Sequence, residues 1–131
     1  MGKARRVPTV SLDALADRYS VVPDFIKIDV EGAEVLVLRG STNIAAAQQT
    51  RFLVEMHSPP ELGMLQNAEQ VLSWCDQTGY AAWYLAEAER LETAGAIQHR
   101  GRCHLLLQPE DWPYPSWLEA IKQSSPLESV L

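Results

Sequence analysis

Cysteine is scarce in this chain: Cys75 and Cys103 are the only two among 131 residues. Both sit in apolar surroundings, Leu72-Ser-Trp-Cys75 and Cys103-His-Leu-Leu-Leu107, which suits buried free thiols better than a disulfide or a metal pair. So little cysteine fits a reducing interior, and the expected location is cytoplasmic. Basic charge is also short. Eleven Lys and Arg stand against seventeen Asp and Glu, a net charge of −6. That excludes a nucleic-acid binder, which needs a basic face. Lys3, Arg5 and Arg6 cluster at the start as a solvated tail. No apolar run approaches the length of a membrane span, so no membrane partner is expected. The opening Met-Gly-Lys-Ala-Arg-Arg lacks the apolar stretch of a secretory signal. There is no internal repeat and no low-complexity segment. The length suits one domain with a single core.

What the chain does have is a series of apolar runs that end in polar residues. Phe25 to Val30 reads as a strand with apolar residues on both parities, as if covered by helices on both faces. It closes on Asp29 and Glu31, and Gly32 then lets the backbone tighten or a ligand come close. Ser11 is placed to cap a helix carrying Leu12 and Leu15. Ala33 to Arg39 reads as a short helix stopped by Gly40, with Ser41 or Thr42 capping another. Arg51 to His57 is a second strand, ending in Glu55 and His57. Asn67 with Gln70 resembles a capping box at the start of a helix that runs to Gly79. Tyr80 to Leu85 and Arg102 to Leu107 are further strands, with a surface loop at 86–101 between them. A last helix is expected at 116–122. Helical crossovers imply parallel pairing of the first strands, and the last two strands can pair antiparallel.

The candidate chemistry lies at the strand ends. In open α/β sheets ligands bind beyond the carboxyl ends of the strands. If the strands ending at Asp29 and at His57 are parallel neighbours, they lie about 5 Å apart. Asp29, Glu55 and His57 then converge, with Glu31 alongside if the first strand continues regularly. Two carboxylates and an imidazole suit general base work on a hydroxyl. Asp29 and Glu55 equally suit an oxygen-rich divalent metal site. The plain structural alternatives remain open: strand ends are polar because they leave the core, and Glu31 can serve as an N-terminal charge for the next helix. His104 reads as a sheet-face histidine, His99 as a loop residue, and Trp74, Trp83, Trp112 and Trp117 as packing.

Phe25-Ile-Lys-Ile-Asp-Val-Glu-Gly-Ala-Glu34, the leucines and Gly40 after it, and Leu53-Val-Glu-Met-His57 resemble the C-terminal half of FkbM-type methyltransferases. Thr9-Val-Ser-Leu-Asp13 is similar to the segment leading into that strand. The resemblance spans roughly residues 7–109. It implies an S-adenosylmethionine-dependent O-methyltransferase acting on a small-molecule or sugar hydroxyl. The implied fold is α/β, a partial Rossmann-like methyltransferase fold. Its sheet would be mixed and mostly parallel, with about four strands flanked by helices and a final antiparallel pair. Residues 7–123 would form one domain, with flexible tails at 1–6 and 124–131.

One family feature has no counterpart. The seven glycines, at 2, 32, 40, 63, 79, 95 and 101, nowhere have the G-x-G spacing of the cofactor loop. The expectation is therefore a half-domain that is inactive alone, completed by a separate N-terminal half or by self-association through strand 25–30. A non-catalytic module that dimerises through an exposed sheet edge is the competing reading, and a metal-assisted hydrolase is a third.

Overall fold

The computed structural model describes residues 2–119. Helix α1 (Leu12–Tyr19) precedes strand β1 (Phe25–Ile28), and the short helices α2 (Glu34–Arg39) and α3 (Thr42–Ala46) lead to β2 (Arg51–His57). Helix α4 (Met64–Thr78), β3 (Tyr80–Tyr84), β4 (Glu89–Arg90), a 3-10 turn (Ala94–Ile97), β5 (Arg102–Pro109) and α5 (Ser116–Glu119) complete the order. Among the described residues no helix is long and apolar enough to cross a membrane.

The strands form one five-stranded mixed sheet in the order β1-β2-β5-β3-β4. Its α/β class, flanking helices and antiparallel β3–β5 pair agree with the sequence. Its mostly parallel character does not, because β1 with β2 is the one parallel pair and the other three are antiparallel. The reason is the apolar run in β5. Leu105, Leu106 and Leu107 are all buried, so this strand takes the two-sided central slot between β2 and β3. Helix α4 does return β3 in the direction of β2, but β5 lies between them and the two do not pair. β1, conversely, is an edge strand covered on one face: Ile28 is buried while Phe25 and Lys27 are exposed. The expectation of helices on both its faces is corrected.

The core is built around Phe52, whose ring meets Trp74 edge-on at 5.5 Å and Tyr80 at 5.7 Å. The Tyr80 hydroxyl donates to the Thr50 carbonyl at 2.8 Å, which satisfies its buried polar end. Trp74 is thus packing, whereas Trp117 stays exposed. The segment at 86–101 is more than a surface loop: Leu91, Ala94 and Ile97 are buried and its 3-10 turn packs on α4. The helix expected to 122 is described only as far as Glu119, and residues 120–123 and the expected tail at 124–131 lie outside the described residues.

Local capping explains how α1 holds the segment behind β1. Ser11 Oγ accepts the Ala14 N–H at 3.1 Å, as its residue type predicts. Asp13 then caps α3 from a distance, accepting the N–H groups of Asn43 and Ile44 at 2.9 Å each. The expected local caps are otherwise engaged, since Ser41 and Thr42 donate back to the carbonyls of Val37 and Arg39. Gly40 ends α2 with φ −80°, outside the left-handed region. A Cβ there would lie 3.1 Å from Ser11 Cβ, so close approach is what it provides.

Candidate active site

The parallel pairing of β1 and β2, with Ile28 beside Val54, brings their carboxyl ends together. Asp29 follows β1 directly, and Glu55 and His57 end β2. The chain then reverses through Glu31, at φ 51°, and Gly32, at φ 110°. A Cβ on Gly32 would lie 2.7 Å from Pro59 Cγ in the loop after β2, so this glycine serves a tight turn against protein. Gly32→Ala should therefore lower stability by about 1–3 kcal/mol, from strain and overpacking together, measured by urea denaturation. A change within a few tenths would show that Pro59 gives way freely.

The reversal delivers Glu34 into the protein. Its side chain is fully buried, an unusual place for a carboxylate, and three donors converge on it. Gly32 N–H reaches Oε1 at 3.1 Å, Asn67 Nδ2 reaches Oε2 at 3.2 Å, and His57 Nδ1 lies 2.7 Å from Oε1. Because a carboxylate accepts, Nδ1 carries the proton, and Nε2 is left as the free end of the ring. Asn67 also donates to the His57 carbonyl at 2.9 Å, which fixes the end of β2. Its Oδ1 is buried without a partner among the described residues, so the amide nitrogen is what this position uses.

On the open side, His57 Nε2 lies 3.8 Å from Asp29 Oδ1. Glu55 Oε1 lies 3.3 Å from Arg102 Nε, an exposed partner reaching over from β5. Partial burial alone would push the His57 imidazole down. The hydrogen bond and charge of Glu34 outweigh it, helped by Glu55 and Asp29, and hold the ring above its ordinary 6.5. Burial pushes the free thiols of Cys75 and Cys103 up, to about 12 and about 11, so neither is a ready nucleophile.

A family model for the methyltransferase FkbM domain matches residues 2–81, more than half of the chain. The chain belongs to the FkbM methyltransferase family. Searches of curated proteins and of solved structures return no match. The matched span runs from the N-terminal segment into β3 and includes Asp29, Glu34, Glu55, His57 and Asn67; the resemblance read from sequence to residue 109 extends beyond it.

Of the residues singled out in this FkbM-family sequence, the structure brings Asp29, Glu55 and His57 together. One ligand atom from each lies within 4.8 Å of the others, a spacing that fits a divalent ion. Glu31 does not join them: β1 has already ended, and its exposed side chain makes no hydrogen bond or ion pair among the described residues. His104 lies opposite Glu55 on β5, on the sheet face, and His99 is exposed.

Two residues were missed by sequence reasoning. Asn67 looked like a helix cap, yet α4 begins at Met64 with Gly63 before it, so Asn67 sits inside the first turn facing the site. Glu34 carried a readable signal. It is four residues before Leu38 and adjacent to Val35, which puts a carboxylate on the buried stripe of α2.

The donor implied by the family meets a different result. Among the described residues no strand end carries a G-x-G loop, and the cavity of about 730 Å³ is lined instead by Asp13, Asp17, Val21, Arg39, Asn43 and their neighbours on α1 and α3.

Proposed function

We propose that this chain carries the acceptor side of an S-adenosylmethionine-dependent O-methyltransferase site within a Rossmann-like fold, with the donor side formed by polypeptide outside these 131 residues. The observation that carries the reading is the buried Glu34 on His57 Nδ1, which points the basic Nε2 outward beside two carboxylates. S-adenosylmethionine, when bound, supplies an electrophilic methyl group. A small-molecule or sugar hydroxyl enters at the ends of β1 and β2, and His57 Nε2 takes its proton as the oxygen becomes nucleophilic. Glu34 holds the imidazole in the required tautomer and stabilises the imidazolium that forms. Asp29 orients the acceptor oxygen, and Glu55 keeps the pocket negative against Arg102. A divalent ion held by Asp29 and Glu55 would help to orient that oxygen as a Lewis acid, with His57 remaining the base.

Titration calorimetry tests the division of labour. The 131-residue chain is expected to show no S-adenosylmethionine binding at micromolar concentrations, and micromolar binding would overturn the assignment of the donor side elsewhere.

The competing reading, a non-catalytic interaction module, draws support from the exposed apolar side chains of Tyr19, Val21, Val22 and Phe25. The readings separate on acceptor binding. A panel of sugars and phenols should shift the ring signals of His57 in NMR spectra and leave those of exposed His99 unmoved. A silent His57 across the panel would favour the module.

A further inference from the structure

The pairing of β2 with β5 places a cation beside the proposed base. In their antiparallel register His57 stands opposite Arg102, and Glu55 stands opposite His104. These side chains alternate onto one face of the sheet, where directly opposed Cβ atoms lie about 4.5–5.5 Å apart. One row further down, Leu53 stands opposite the buried Leu106, so the floor beneath them is apolar. The backbone is pinned there as well: Ser58 Oγ, just after β2, donates to the Gly101 carbonyl, just before β5, at 3.1 Å. Arg102 therefore starts from a fixed point next to His57.

Its guanidinium is only lightly engaged. Nε lies 3.3 Å from Glu55 Oε1, and the Arg102 side chain is 69% exposed. A pair so exposed contributes little to stability, so Glu55 alone does not account for an arginine here. A guanidinium carries its N–H donors in a planar fork, and contact through Nε leaves the Nη groups for a second partner. That fork matches the paired oxygens of a carboxylate or a phosphate.

The charges are also ordered across the base. Asp29, whose Oδ1 lies 3.8 Å from His57 Nε2, comes from the β1 side, whereas Arg102 comes from β5. β2 runs between those strands, so the mouth is negative toward β1 and positive toward β5. A molecule with a hydroxyl at one end and an oxyanion at the other has one favourable orientation across it. Lys27 shares this face, but it stands beside Leu53, below Asp29 and on the β1 side of the base.

We propose, resting on the acceptor-side reading of this site, that Arg102 binds an oxyanion that the acceptor carries a few bonds from its reactive hydroxyl. The substrate class is then hydroxy acids, sugar acids and sugar phosphates rather than neutral alcohols. Arg102 sets specificity and takes no proton: it holds the anionic end toward β5 and so delivers the hydroxyl to His57 Nε2, on the Asp29 side.

NMR titration of the chain with matched probes, at one fixed low ionic strength, tests the assignment. The probes are methyl glucoside, glucuronate and glucose 6-phosphate. An anionic probe should shift the His57 ring signals at concentrations at least about tenfold below methyl glucoside, the scale of one charge-assisted bidentate contact. Which of the two anions does so identifies carboxylate or phosphate as the group. Arg102 is exposed, so its replacement leaves the fold intact. Arg102→Gln should bring all three probes within about twofold of one another, with methyl glucoside binding as before. Arg102→Lys keeps the charge without the fork and should fall between, and Lys27→Gln should leave the preference unchanged. Equal binding of neutral and anionic probes by the parent chain overturns the proposal and leaves the acceptor site standing. A preference that survives Arg102→Gln, or is lost in Lys27→Gln, overturns it equally. A His57 ring unmoved by every probe overturns the acceptor-side reading itself, and this proposal with it.

Discussion

Glu34→Ala should lower the unfolding free energy by about 3–5 kcal/mol, the scale for removing one partner from a buried charged network. The deletion removes the acceptor of His57 Nδ1 and of the Gly32 N–H and one of the two acceptors of Asn67 Nδ2, and leaves a void beneath α2. Urea denaturation measures it, and a loss below about 1 kcal/mol would mean that the network is not a unit.

Glu34→Gln separates charge from shape. The His57 imidazole is held above its ordinary 6.5 chiefly by Glu34, against the opposing effect of burial. Its protonated form is therefore favoured in the folded chain. The resulting stability is fully present below about pH 6.5 and is lost as pH rises through the raised folded value. The glutamine variant lacks this contribution, so its deficit against the parent should be largest below about pH 6.5 and shrink above it. NMR titration of the imidazole should show the pKa falling in the variant. An unmoved pKa would remove Glu34 as the cause.

His57→Ala, introduced in the complete methylating assembly, should slow transfer by about 10²–10⁴-fold, the range for loss of a positioned general base. The fold should persist at reduced stability, because the Gly32 N–H and Asn67 Nδ2 still hold the buried Glu34 carboxylate. The pH profile gives a readout that a purely structural role would not move. A base must be unprotonated, so the parent's rate should climb with pH through the raised value, above 6.5. Glu34→Gln should shift that limb to lower pH while reducing the plateau. An unchanged rate in His57→Ala would take this residue out of the mechanism.

Much of this was readable in one dimension because it depends on neighbours in sequence. Apolar runs ending in acids located β1 and β2, Ser11 capped α1 as its residue type implies, and the two cysteines are the buried thiols their surroundings suggested. Asp29, Glu55 and His57 could be grouped from strand parity and one assumption, that β1 and β2 pair in parallel. Where the reading failed, the governing partner lay far along the chain. Asp13 displaced the local caps of α3 from some thirty residues away, and Gly40 answered to Ser11 rather than to its own helix end. Glu31 fell out of the group because the strand turned two residues early.

The amino-acid sequence by itself determined the types of the main helices and strands, the family and the polar ends of the strands, since each depends on local pattern; β4 and the 3-10 turn within 86–101 escaped it. Tertiary structure alone decided that β5 slides between β2 and β3, because burial of its leucines on both faces outweighs the crossover's parallel pairing. It alone also decided that Glu34 and Asn67 meet behind His57. A buried carboxylate is stable only where donors from separate elements converge on it, and that convergence exists only once α2, α4 and β2 have packed.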